Sequence, residues 1–169
     1  MIKIPLQRLQ QEGDLEFHFS GSQEELGLSD IEFPVREIDI RFHLIEADHG
    51  YYLAGDLAGI ASLECHRCLT TFTRVLDLEL STLIVLDNAE EFELEDDIIY
   101  IPDDAQAIDV TGYIHDAILL DLPVKFLCKK DCQGLCAQCG TNLNVSSCDC
   151  DTETIDPRWQ KLRELNLEE

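Results

Sequence analysis

The chain has 169 residues, long enough for one domain with a real core and a small appendage. Twelve basic residues against 35 acidic ones leave a formal charge of −23. That balance repels phosphate backbones as a whole, because nucleic-acid affinity comes largely from counterion release by Lys and Arg, and it favours solubility and basic partners. No apolar run approaches bilayer length, and Met1–Arg8 lacks the apolar region of a secretory signal, so a reducing cytoplasm is the expected setting.

In chain order, Leu15–Phe19 alternates apolar and polar residues and predicts a short strand. Ser22 followed by Glu25 predicts a helix start that Gly27 soon ends. Ile38, Ile40, Phe42 and Leu44 alternate with polar residues and predict a strand with one dry face. Tyr51–Glu64 predicts a second strand, kinked or bulged at Gly55 and Gly59. Leu76 to Leu86 repeats the period of two, which places Cys65-His-Arg-Cys68 at the tip of a long hairpin.

The run from Asp87 to Asp104 holds nine acids and no base. It predicts a solvated loop with a short strand at Ile98–Ile101, and its spacing does not fit a calcium loop. Thr111–Asp121 predicts an N-capped helix with Ile114, Ala117 and Ile118 inward, Tyr113 or Leu120 at the margin, and Pro123 as its stop. Asp156-Pro157 predicts the start of a C-terminal helix carrying Trp159, Leu162 and Leu165 on one side.

Six of the eight cysteines lie between Cys128 and Cys150. Two thiolates separated by two residues reach one tetrahedral ion, because a tight turn aims both sulfurs inward. Cys136-Ala-Gln-Cys139-Gly140 has this form, and the glycine allows the backbone to double back. Cys136, Cys139, Cys148 and Cys150 group by proximity in the chain. Cys65, Cys68, Cys128 and Cys132 would then pin the mid-chain hairpin to the C-terminal segment, although a single site drawn from another four also satisfies the spacing. Structural zinc is the favoured reading over a disulfide framework or free redox thiols. His66 could replace one sulfur, but a solvent-facing residue is expected there.

Arg67, Arg74, Lys125, Lys129 and Lys130 flank the cysteines, whereas residues 75–124 carry no Lys or Arg. If the two cysteine regions meet, these cations form a local patch for a few phosphates or a partner, or they neutralise the thiolate sites. The sequence has no Gly-rich phosphate loop, no HExxH and no Gly-x-Ser-x-Gly. Four sulfurs per ion leave no open position for hydrolysis, so a non-enzymatic protein is expected.

Together these features predict an α+β fold. It would be a mainly antiparallel β sheet, or a partly closed barrel, with one or two packed helices and a C-terminal cysteine-rich zinc-binding segment. The predicted division is a β-rich core over residues 1–124 and the cysteine-rich segment with its helix over 125–169.

Leu63-Glu-Cys65-His-Arg67-Cys68-Leu69 resembles the core motif of the YceD-like family, the large ribosomal RNA subunit accumulation proteins. Leu122-Pro123, Gly134-Leu-Cys136-x-x-Cys139-Gly140-x-Asn142-Leu-Asn144, Cys148-x-Cys150 and Asp156-Pro157-Arg158 are similar to its longer form. The resemblance spans roughly residues 60–165 and implies a factor needed for normal accumulation of large-subunit (23S) ribosomal RNA in bacteria and plastids. The implied partners are a pre-large-subunit particle, ribosomal RNA or a basic ribosomal protein, with no membrane and no small-molecule substrate. Two readings of other classes stand beside it: an acidic chaperone or adaptor for a basic ribosomal protein, and a thiol oxidoreductase using Cys65 and Cys68.

Overall fold

The computed structural model describes residues 1–6, 14–47, 50–86, 98–102 and 104–150. Most of the acidic run, from residue 87 to 97 together with Asp103, and the expected C-terminal helix lie outside the described residues.

Eight elements follow in order: β1 Lys3–Pro5, β2 Asp14–Gly21, β3 Val35–Ala47, β4 Gly50–Glu64, β5 Thr71–Leu86, β6 Ile98–Ile101, β7 Ala107–Asp109 and α1 Thr111–Asp121. Strands β2-β3-β4-β5-β6 form one sheet in that spatial order, and β1 pairs with β7 in a separate two-stranded ribbon. The first four strands of the large sheet are antiparallel, whereas β6 joins β5 in parallel. Among the described residues the sheet is open, with β2 and β6 at its edges, so the barrel alternative is set aside.

Period-two alternation does what the sequence requires of it. Residues directly opposite across a ladder share a face. Phe17, Phe42, Gly55 and Leu80 therefore form one rung, and Leu15, Leu44, Leu53 and Thr82 another. The apolar side chains of these rungs lie in the main core with Ile38, Ile40, Leu57, Leu76 and Ile84, and Thr82 is buried as well. The opposite face is wet. There His18 Nε2 lies 2.6 Å from Asp39 Oδ2, and Arg41 Nε lies 3.2 Å from Asp39 Oδ1.

Three of the local expectations change. At Ser22 the reciprocal cap forms, with Ser22 N donating to Glu25 Oε2 (2.8 Å) and Glu25 N approaching Ser22 Oγ (3.3 Å). It closes a turn instead of opening a helix, because Gly27 at φ +76 leaves the helical region at once. Among the described residues α1 is thus the one helix longer than a single turn. The bulge sits on β3 and not on β4: the register slips between Arg36 and Asp39, where Glu37 takes φ 54, and Gly59 is the residue opposite. Thr111 is not the N-cap. Val110 occupies that position without a side-chain bond, Asp109 Oδ1 accepts from Thr111 N, and the Thr111 hydroxyl accepts from Ile2 N at 2.8 Å.

The helix carries the chain to the site. Ile114 and Ile118 are buried in the core, with Ala117 and Tyr113 packed beside them, while Leu120 faces solvent. Strand β6 covers only Leu83–Leu86 of β5, and α1 takes over beyond it. The Tyr113 hydroxyl donates to the Ser81 carbonyl at 3.0 Å, and Arg74 Nη2 meets the Asp121 carboxylate at 3.4 Å. The helix therefore runs antiparallel to β5 and delivers residues 122–128 to the hairpin tip.

Candidate metal centres

Strands β4 and β5 pair without a slip from Gly50↔Val85 to Glu64↔Thr71, so residues 65–70 form the closed end of the hairpin. In this turn Leu69 N donates to the Cys65 carbonyl (2.9 Å) and Cys65 N donates to the Thr70 carbonyl (3.0 Å). The second knuckle repeats the arrangement: Gly140 N donates to the Cys136 carbonyl, and Cys136 N to the Thr141 carbonyl, both at 2.9 Å. In each, the residue after the second cysteine is left-handed, Leu69 at φ 56 and Gly140 at φ 72. Gly140 takes this at no cost, whereas a leucine pays about 1–2 kcal/mol. Each knuckle then places a threonine hydroxyl beside its second sulfur, 3.4 Å for Thr70 and Cys68 and 3.1 Å for Thr141 and Cys139.

The eight sulfurs fall into two sets, Cys65/Cys68/Cys128/Cys132 and Cys136/Cys139/Cys148/Cys150. Within each set all sulfurs lie within 4.8 Å of one another. The second set is the one expected from proximity in the chain, and the first joins the remaining four, which spacing alone left open. All eight cysteines are free. Cys65 and Cys132 sulfurs are 3.7 Å apart, and those of Cys68 and Cys128 are 3.6 Å apart. A disulfide needs about 2.05 Å. Four thiolates about 2.3 Å from a central ion form a tetrahedron of edge about 3.8 Å, which these separations match. Each set thus offers four sulfur donors that could hold one tetrahedral metal ion.

The first centre is the more enclosed, with Cys65 0%, Cys132 2% and Cys68 5% exposed, whereas Cys139 in the second is exposed. Burial works against the Cys65 thiolate, but amides of Cys128, Cys68 and Arg67 point at its sulfur and hold the thiol down at about 6. Burial, then the neighbouring Cys68 and Cys132 sulfurs, push Cys128 up to about 12. In the second centre the Thr141 hydroxyl and amide hold Cys139 down at about 6, while the neighbouring Cys139 sulfur, then burial, push Cys150 up to about 12. Ion-free sulfurs at this range share their remaining protons. A metal must displace those protons, so its affinity falls as pH falls.

His66 is not among the sulfurs. Its amide donates to the Phe126 carbonyl at 2.8 Å, and its ring lies 4.9 Å from the Phe126 ring. The cations divide. Arg67 Nη1 donates to the Cys132 carbonyl at 2.9 Å, which ties the tip to the second cysteine pair. Lys125, Lys129 and Lys130 are exposed on the segment that supplies Cys128 and Cys132, and no ion pair among the described residues engages them. Arg74 departs from the expected patch, because Asp121 holds it at the end of α1. Sequence reasoning passed over Asn142 and Asn144 except as motif letters. Asn144 Nδ2 lies 3.3 Å from the Cys132 sulfur, and Asn142 Nδ2 lies 3.3 Å from the Thr70 hydroxyl.

The profile described as "Large ribosomal RNA subunit accumulation protein YceD" matches residues 53–166, about two thirds of the chain and the part that holds both centres. The chain belongs to the YceD family. An uncharacterized protein of Mycobacterium tuberculosis is 33% identical over 130 residues, covering 76% of this chain and 61% of that protein. A chloroplastic protein of Arabidopsis thaliana named "Large ribosomal RNA subunit accumulation protein YCED homolog 1" is 33% identical over 70 residues, 41% of this chain and 22% of its own length. The uncharacterized protein YlbN of Bacillus subtilis is 26% identical over 110 residues, 64% of this chain and 62% of that one. The chain thus spans about three fifths of the length of the mycobacterial relatives it matches. No solved structure matches it significantly. Among the described residues no helix is long and apolar enough to cross a membrane.

Proposed function

We propose that this YceD-family chain is a non-enzymatic, zinc-stabilised ribosome-biogenesis factor that supports accumulation or maturation of large-subunit (23S) ribosomal RNA in the cytoplasm. The observation that carries the reading is the pairing of the hairpin tip with residues 128–132 in one four-sulfur set, within a family named for that RNA. Zinc suits a closed set of four thiolates, which leaves no position for a reacting water. Each filled centre carries a charge of −2; Arg67, held on the Cys132 carbonyl, offsets it at the first centre, while the exposed Lys125, Lys129 and Lys130 offer a docking face for a few phosphates. Their small number makes binding local on an otherwise acidic molecule.

The test is co-sedimentation of the zinc-loaded protein with precursor large-subunit particles across a salt series. Lys129→Glu/Lys130→Glu is expected to weaken association and to lower the salt slope by about 2, since each phosphate contact contributes about 0.9 to that slope. No association of the metal-loaded wild-type protein at low salt would overturn the reading.

A second reading, an acidic chaperone or adaptor for a basic ribosomal protein, is favoured by the wet face of the sheet. Asp56, Asp77 and Glu79 stand there with no ion pair among the described residues. It predicts partner recovery that survives nuclease treatment. A thiol oxidoreductase is the least supported reading, because both Cys65 and Cys68 are buried beside two further sulfurs.

A further inference from the structure

The two centres are built on one another. Leu135 pairs with Asn142 in an isolated bridge, and Leu143 N donates to the Gly134 carbonyl at 2.9 Å. Residues 134–136 and 141–143 are therefore the legs of a small hairpin whose turn is the Cys136–Cys139 knuckle. The base of that hairpin rests on the first centre, where Leu135 N donates to the Arg67 carbonyl at 3.1 Å.

Side chains on and just after its returning leg reach the first centre: Asn144 one of its sulfurs, and Asn142 the hydroxyl beside another. Backbone Gln133 N donates to Asn144 Oδ1 at 2.9 Å. A backbone N–H can only donate, so this bond fixes the orientation of the Asn144 amide and turns its Nδ2 toward the Cys132 sulfur, 3.3 Å away. The same Nδ2 donates to Asn142 Oδ1 at 2.9 Å, and Asn144 N donates to that oxygen at 3.0 Å. Asn142 Nδ2 is left facing the Thr70 hydroxyl, which itself stands beside the Cys68 sulfur. Asn142 directly follows Thr141, whose hydroxyl stands beside the Cys139 sulfur of the second centre.

We propose that Asn142 and Asn144 couple the two centres, so that filling the second raises the metal affinity of the first, and the reverse. The inference rests on the metal reading above. Closing the second centre fixes the knuckle hairpin, and the hairpin holds one amide donor, Asn144 Nδ2, against the Cys132 sulfur and a second, Asn142 Nδ2, against the Thr70 hydroxyl that stands beside Cys68. An N–H aimed at a metal-bound thiolate stabilises its charge, and removing such a partner typically costs 10–100-fold in affinity. Coupling of this kind is reciprocal by thermodynamic necessity.

The full chain, stripped of metal, is equilibrated in buffers of defined free zinc and then alkylated. Peptide mass mapping reads the protection of each centre separately. Cys148→Ser/Cys150→Ser disables the second centre and is expected to weaken zinc binding at Cys65/Cys68/Cys128/Cys132 by about tenfold. Asn144→Asp keeps the acceptor for Gln133 N but replaces the donor facing Cys132. It is expected to weaken the first centre by about 10–100-fold when the second is intact. In the Cys148→Ser/Cys150→Ser background the same substitution is expected to change it by no more than about twofold. Far-UV circular dichroism confirms that the sheet persists in each variant. Equal first-centre affinity with and without the second centre, or an Asn144→Asp effect of the same size in both backgrounds, overturns the coupling while leaving the metal reading intact. A wild-type chain that takes up no zinc overturns both.

Discussion

Cys65→Ser is expected to empty the first centre and free residues 125–135 from the hairpin tip while the main core stays folded. Cys65 is fully buried, and its sulfur faces that of Cys132, which lies 67 positions along the chain. The other ties at the tip are a few hydrogen bonds, among them His66 N to the Phe126 carbonyl, Arg67 Nη1 to the Cys132 carbonyl and Leu135 N to the Arg67 carbonyl, and one small apolar cluster. The small cluster around the first centre consists of Cys65, Cys68 and Cys132, with Phe72, Leu127, Cys128 and Leu135 packed against it. Such a cluster holds too little apolar surface to fix a 23-residue loop structure by burial alone, whereas binding of structural zinc supplies about 10–16 kcal/mol. Serine keeps the shape but lacks the thiolate. Metal content should fall, and amide exchange should rise in residues 65–70 and 126–135 but not in β3. Unchanged metal content with unchanged exchange would contradict the metal's structural role.

The second large effect concerns the core. Gly55→Val is expected to abolish folding of the sheet or to destabilise it by several kcal/mol. Gly55 lies in the rung between Phe42 and Leu80, and its φ is not the issue. A Cβ built there would stand 2.0 Å from the Arg41 carbonyl oxygen and 2.7 Å from Phe42 Cδ1. The ring of Phe42, fully buried, fills the space that a side chain at 55 would take. Overpacking a well-filled core typically costs about 1–3 kcal/mol, and here a backbone carbonyl must also move. Urea denaturation of Gly55→Val against wild type measures this, and an unchanged midpoint would show that the close approach is absent in solution.

The strands, the hairpin tip and the grouping of Cys136, Cys139, Cys148 and Cys150 were legible because each rests on a local rule, whereas the other four cysteines were left as a remainder. Alternation from Ile38 to Leu44 and from Leu76 to Ile84 marks the dry face directly, and sequence proximity groups Cys136 with Cys150. The features that were missed depend on tertiary partners. Ser22 and Glu25 carry a complete capping signal, yet Gly27 leaves the helical region one turn later. The β3 bulge is announced by no glycine, because Glu37 itself takes the positive φ and Gly59 only faces it across the ladder. Arg74 counted as a free cation until α1 brought Asp121 beside it. The asparagine bridge is the clearest case: Asn142 and Asn144 are unremarkable polar residues in the sequence. Only the small hairpin on which they sit shows that they stand between two sets of sulfurs.

Metal stoichiometry by native mass spectrometry, before and after acidification, tests the central claim most directly. With the two four-sulfur sets filled as proposed, two zinc ions per chain are expected near neutral pH, both lost, with about four protons regained per centre, as acid protonates the thiolates. A chain that carries no metal, or whose eight cysteines are recovered as disulfides under reducing conditions like those of a cytosol, would contradict it.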